Sequence, residues 1–196
     1  MKKLSLLTLL LVLCLPLAAS AQEEAPKVEM FGGYSFLRVN PGQGADGVSA
    51  HGFNTSLAGN ITKNIGIVGE FSRFTKSANI SDVINDPIFG SFEAHARVST
   101  FMFGPRFTLR GGNAEPFVHA LFGGAHGNFK ASAGGLSEEV SGVAFAYALG
   151  GGLDIKAHDN FAIRIAQLDY IQARVAGQGL NNLRYSAGVV LRFGKR

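Results

Sequence analysis

Large apolar side chains recur at every second position over much of this chain. Near the C-terminus Leu183, Tyr185, Ala187, Val189, Leu191 and Phe193 fall on one face, with Asn182, Arg184, Ser186, Gly188, Val190 and Arg192 on the other. The same contrast sets Phe145, Tyr147, Leu149, Gly151, Leu153 and Ile155 against Ala144, Ala146, Ala148, Gly150, Gly152 and Asp154. It sets Ile65, Ile67, Gly69 and Phe71 against Gly66, Val68, Glu70 and Ser72. It also sets Phe101, Phe103, Pro105, Phe107 and Leu109 against Thr100, Met102, Gly104, Arg106 and Thr108. A period of two is the mark of β-strands, whose successive side chains point to opposite faces. Eight strands are predicted, at 28–39, 51–60, 65–74, 95–109, 116–128, 143–156, 161–170 and 182–193. The first carries apolar residues on both faces (Met30, Tyr34 and Phe36; Phe31 and Leu37). In the seventh, Phe161, Ile163 and Ile165 give way to Leu168 and Tyr170, a one-residue change of face that a β-bulge near Gln167 explains.

The connections alternate in length. The segments 40–50, 75–94, 129–142 and 171–181 are long, whereas 61–64, 110–115 and 157–160 are short and carry turn residues such as Gly111-Gly112-Asn113 and His158-Asp159-Asn160. Alternating long loops and tight turns, with strands at least as long as the roughly 9–11 tilted residues that cross a bilayer, predict an outer-membrane barrel. The expected fold is all-β, an eight-stranded antiparallel up-and-down transmembrane β-barrel with both termini in the periplasm.

Volume decides which face points outward. Eight strands enclose an interior just wide enough for side chains to fill. If the Phe, Leu, Ile and Tyr face pointed inward, the outer wall would be mostly Gly and Ala, unlike the charged surface of a water-soluble protein. The bulky face is therefore expected to meet lipid. The inner face then holds a structural charge cluster of Glu70, Arg106, Asp154 and Arg164, with Arg184 and Arg192 nearer the ends of the last strand. Because an unpaired buried charge costs on the order of 3–5 kcal/mol, these acids and bases are expected to pair and to fill the lumen, leaving no wide pore.

Composition narrows the compartment. Lys2 and Lys3, the apolar run 4–17 and Ala19-Ser20-Ala21 have the order of a cleavable export signal over 1–21, leaving 22–196 as the barrel domain. The one cysteine, Cys14, falls inside that signal, so the mature chain has no thiol for disulfides, metal binding or catalysis. Charged residues are 16% against about 25% in soluble domains. Past the signal, 16 basic and 14 acidic side chains leave a net charge of +2 with no basic patch suited to nucleic acid.

Catalytic and metal-binding patterns do not converge. His119 and His126, seven apart, face opposite sides of a strand, and His51, His95 and His158 lie near strand ends, so no metal or cofactor is expected. Neither His126-Gly127-Asn128 nor His95-Ala96-Arg97 matches the His-x-Ser-Asn run of one outer-membrane deacylase type. Ser132, Ser137, Glu138 and Glu139 lie near the outer rim but in what reads as a flexible loop, so no triad is visible and no enzyme is expected.

These features together resemble the outer membrane β-barrel domain family of small OmpA-like and opacity-like porin-family proteins. The resemblance spans 22–196. It is carried by Phe31-Gly32-Gly33-Tyr34-Ser35-Phe36, Phe103-Gly104-Pro105-Arg106, Pro116-Phe117-Val118-His119-Ala120 and Leu149-Gly150-Gly151-Gly152-Leu153-Asp154. Ile163-Arg164 with Asp169-Tyr170, and the alternating run ending at Phe193, complete it. The resemblance implies the bacterial outer membrane and delivery by periplasmic chaperones to the barrel insertion machinery. Tyr185, Val189, Leu191 and Phe193 would form the C-terminal insertion signal, although Gly194-Lys195-Arg196 follow it. It implies no one activity, since members serve as structural proteins, adhesins and occasionally enzymes. The role expected from a filled barrel with displayed loops is structural or surface-interaction, with outer-membrane lipid as a partner and an extracellular partner through loops 75–94 and 129–142. The alternatives are a lipid-modifying enzyme on the same barrel and a soluble periplasmic ligand-binding barrel.

Overall fold

The computed structural model describes residues 25–40, 47–79, 93–133, 136–175 and 178–195. The predicted signal at 1–21 and the middles of loops 40–50 and 75–94 lie outside them. Eight strands run β1 (Pro26–Asn40), β2 (Val48–Asn60), β3 (Ile65–Asn79), β4 (Glu93–Thr108), β5 (Ala114–Ala133), β6 (Leu136–His158), β7 (Phe161–Val175) and β8 (Gln178–Lys195). Each pairs antiparallel with its chain neighbours, and β8 pairs back with β1, from Pro26 opposite Lys195 to Asn40 opposite Asn181. Closure leaves no strand edge, which is what a sheet surrounded by hydrocarbon requires.

The alternation read in the sequence becomes inside and outside. Phe103 and Phe145 are each 59% exposed on the outer wall, whereas Arg106 and Asp154 are 4% and 2% exposed inside. The ambiguous first strand resolves with Phe31, Ser35 and Leu37 inward and Met30 and Tyr34 outward. Inward Phe31 packs with Ala162 and Val190.

Two irregularities adjust the ladder. Between Arg164 and Gln167, β7 carries one residue more than β8, and the pairing with β6 slips at the same place, between Leu153 and Asp154. This bulge brings both Ile165 and Leu168 to the outer wall. The Tyr185 hydroxyl, on β8, donates to the Ile165 carbonyl at 2.9 Å. The β4–β5 ladder breaks at Gly104 and Pro105, where Pro105 has no N–H to give.

Two of the predicted long loops are mostly strand. β5 continues to Ala133 and β6 resumes at Leu136, pairing Lys130 with Glu139 and Ser132 with Ser137 inside the segment expected as the loop 129–142. Likewise β7 and β8 continue through much of 171–181, to Val175 opposite Gln178. Beyond the bilayer both faces of a strand meet water, so the polar–apolar alternation that marks a strand in sequence vanishes while the backbone ladder persists.

Candidate functional site

The distinctive chemistry of this fold is the interior of the barrel. Five acids and five arginines are buried there among the described residues: Glu29, Glu70, Glu115, Asp154 and Asp169, with Arg106, Arg110, Arg164, Arg184 and Arg192. Alternation on neighbouring strands aims all of them at one axis, and their formal charges cancel. Desolvating ions in a narrow lumen is costly unless each finds an opposite charge and hydrogen bonds.

At the tight-turn end, Glu29 is the hub. Its carboxylate takes Arg106, Arg110 Nη2 at 2.7 Å and Arg192 Nε at 3.2 Å. Arg192 also donates to both oxygens of Glu115, at 3.2 and 2.6 Å, and Arg110 donates to the Lys63 carbonyl at 3.0 Å. At the exposed turn beyond, Lys156 Nζ lies 3.3 Å from Asp159 and holds that carboxyl below its usual range, first by hydrogen bonding and then by charge.

One level in, Arg164 forms a two-pronged pair with Asp154, and its Nη1 donates to Gln167 Oε1 at 2.7 Å. The flat guanidinium lies between the rings of Phe31 and Phe117, 4.3 Å from each centroid. Such stacking suits Arg, which is more weakly hydrated than an ammonium and attracted to ring faces.

Gln167 joins this level to the next, donating to Glu70 at 3.1 Å and Asp169 at 2.8 Å. There Arg184 reaches Glu70 Oε1 at 2.5 Å, Asp169 Oδ2 at 2.7 Å and the Ser72 hydroxyl at 2.6 Å. Asn54 donates to Glu70 at 3.1 Å, and His119 Nε2 sits 2.6 Å from Asp169 Oδ1. On the loop side of these polar residues come Leu37, Phe74, Leu121 and Ile171, in one apolar cluster with Met102.

The predicted cluster is thus placed inside, but its members do not simply pair with one another. Asp154 meets Arg164 as a couple, whereas Glu70 is taken by Arg184 and Arg106 by Glu29. Arg184 is not near a strand end: β8 starts four residues earlier than the alternation showed, and Arg184 sits fully buried within the cluster. The sequence reading missed Glu29, Arg110, Glu115, Asp169 and His119 as members. Glu29 lies in the strand of ambiguous phase, Arg110 and Glu115 in or beside a predicted turn, and Asp169 beyond the bulge. Counting period two onward from the bulge would have found Asp169, since Gln167, Asp169, Ile171 and Ala173 all point inward.

His119 and Asp169 have the chemistry of a base and its orienting acid, yet Asp169 is also held by Arg184 and Gln167. The His119 ring packs 5.7 Å from Phe117, and no hydroxyl bonds it among the described residues. His126 points outward, away from it. Among the described residues no three His, Asp or Glu groups form a metal-holding set. Tyr185, Val189, Leu191 and Phe193 all lie on the outer wall, 38–49% exposed.

The comparisons agree with this architecture. Ail, the attachment invasion locus protein of Yersinia pestis, superposes at a TM-score of 0.61 with 21% identity, over 85% of this chain and 99% of Ail. Neisserial surface protein A gives 0.54 at 10% identity, over 88% of this chain and 100% of that one. A major outer membrane protein from Thermus thermophilus gives 0.53 at 11% identity, over 84% and 99%. At such identities the likeness is one of fold. No curated protein sequence matches the chain. Residues 7–193 match the outer membrane protein beta-barrel domain family, in keeping with the closed eight-stranded barrel that this chain forms with its large apolar side chains outward. The chain belongs to the outer membrane protein β-barrel domain family, proteins of the bacterial outer membrane.

Proposed function

We propose that this protein is a structural and surface-interaction barrel whose lumen is filled, conducts nothing wide and catalyses nothing. The observation that carries the reading is the cancelling set of five acids and five arginines buried among the described residues, capped on the loop side by Leu37, Phe74, Leu121 and Ile171. A network in which nearly every charge is held from several directions rigidifies a scaffold. A pore would instead need a continuous water path, which eight strands rarely leave. The useful surface is then what the barrel raises above the membrane, including the 129–142 hairpin and the 75–94 connection, for an extracellular partner.

The same reading has 1–21 removed after export and the mature chain carried by periplasmic chaperones to the insertion machinery, which reads the outward row Tyr185, Val189, Leu191 and Phe193. Planar-bilayer recording of the refolded protein tests the filled lumen: the expected trace has no stable conductance step, and reproducible open-channel currents would overturn it. Mass analysis of lipid A from cells with and without the gene tests the enzyme alternative. The expected spectra are identical, and an acyl chain gained or lost with the gene would replace this reading by a catalytic one.

A further inference from the structure

The outer wall is not apolar to its end. Past Phe71 and Phe101, the outward positions of β3, β4 and β5 become Arg73, Thr75, Arg97, His95, Asn128 and Lys130. Register sets them side by side: Thr75 is opposite Arg97, Arg97 opposite Asn128, and His95 opposite Lys130. Thr75, His95, Arg97, Asn128 and Lys130, with Ala96, line a cavity of about 300 Å³. Arg73 is fixed at its lower edge, its guanidinium 5.7 Å from the Phe71 ring and its Nε donating to Ser99 Oγ at 3.2 Å. Among the described side chains, the acid in this band is Glu139, which takes Lys130 Nζ at 2.7 Å and Asn128 Nδ2 at 2.5 Å. Arg73, Arg97 and Lys130 outweigh it.

The other side of the barrel differs. Among the described side chains, the outward positions at the loop ends of β7 and β8 are Tyr170, Gln172 and Asn181, uncharged, with Asn181 Oδ1 accepting from Tyr170 at 2.8 Å and from Gln172 at 3.2 Å. Arg38, exposed on β1 with its Nη1 3.4 Å from Ser49 Oγ, is a further outward cation, so the positive charge on β3–β5 is set apart by having Arg73, Arg97 and Lys130 on adjacent strands. Its place selects the occupant. The band lies directly above lipid-facing Phe71 and Phe101, so what fills it sits at the boundary of hydrocarbon and water. The lining offers donors, namely a guanidinium fork, an ammonium, a carboxamide and a hydroxyl, the set that suits a tetrahedral oxyanion.

We propose that this groove on β3–β5 binds a phosphate group of an anionic lipid headgroup in the outer leaflet, with Arg97 and Lys130 as its principal donors. The proposal rests on the reading above, in which the barrel spans the outer membrane with its tight turns in the periplasm. Glu139 tempers the site by holding Lys130.

The test uses the full mature chain folded into phosphatidylcholine nanodiscs containing bisphosphorylated lipid A, then extracted for native mass spectrometry. Altered gel mobility before boiling confirms that each variant is folded. Wild type is expected to retain lipid A, and R97Q/K130Q to retain about tenfold less. E139Q, which releases Lys130, is expected to retain more, and R38Q on the β1 wall as much as wild type. Undiminished retention by R97Q/K130Q would overturn the proposal. So would equal retention of dephosphorylated lipid A, or displacement of the lipid by millimolar inorganic pyrophosphate, which would mark a site for soluble anions. A chain that folds but stays out of the discs would instead sink the spanning reading on which the groove's position depends.

Discussion

Arg164 on β7 grips Asp154 on β6 with two parallel hydrogen bonds, Nε to Oδ1 at 2.7 Å and Nη2 to Oδ2 at 3.0 Å. Both side chains are almost wholly buried, and the pairing slips by one residue immediately beside them. The bulge lets Arg164 and Gln167, three apart, both face inward, so that one residue holds the acid while the other hands the network on to Glu70 and Asp169.

Removing one member of that couple strands the other in the lumen. Asp154→Asn is expected to destabilise the vesicle-inserted protein by about 3–5 kcal/mol. In the double variant Asp154→Asn with Arg164→Gln, part of that loss is expected to return, because no uncompensated charge remains. Urea unfolding in lipid vesicles, followed by gel mobility, measures both. A single variant as stable as wild type would show that the ion pair does not anchor the interior.

The bulge has its own partner. Tyr185 donates to the Ile165 carbonyl on the lipid-facing wall, where no water is available to replace it. Tyr185→Phe keeps the ring and deletes the donor, and is expected to cost about 1 kcal/mol. The same unfolding experiment decides it, with an unchanged midpoint excluding a role for the hydroxyl.

Glycines divide into two kinds. A Cβ at Gly104 would run into the Ala120 carbonyl and crowd the Leu121 Cα at 3.1 Å, both backbone atoms of the next strand, whereas a Cβ at Gly59 meets nothing within 4 Å. Gly104→Ala is therefore expected to cost about 1–3 kcal/mol and slow refolding, as overpacking does. Gly59→Ala should refold like wild type. Equal refolding of the two variants would mean that β4 and β5 can separate at the Pro105 break more easily than their spacing implies.

On the outer wall, Phe103→Arg is expected to destabilise by about 2–4 kcal/mol if Phe103 lies near the bilayer midplane. Repeating the measurement in detergent micelles, whose apolar layer adapts to a charge, should shrink the penalty. A penalty of the same size in both would indicate that Phe103 matters by packing on its neighbours and not by facing hydrocarbon.

Alternation like that around Phe103, Phe145 and Leu191, together with the small volume inside eight strands, was enough to predict the strands, their order and the outward face, except in the first strand, whose phase the structure decided. Period two is a property of the extended backbone, and only lipid outside a narrow cylinder satisfies that pattern of bulk and charge. Where alternation failed, tertiary structure decided. Lys130 opposite Glu139 continues a hairpin through residues that read as loop, because a ladder outside the bilayer needs no hydropathy contrast to form. Glu29 joins Arg106, Arg110 and Arg192 across strands remote in sequence: closure of β8 on β1 sets Arg192 opposite it, and Arg106 on β4 and Arg110 just beyond reach it across the lumen. Partner choice among ten like and unlike charges depends on height along each strand, and strand register and one bulge set that height. Those are long-range quantities, and a local pattern of residues does not contain them.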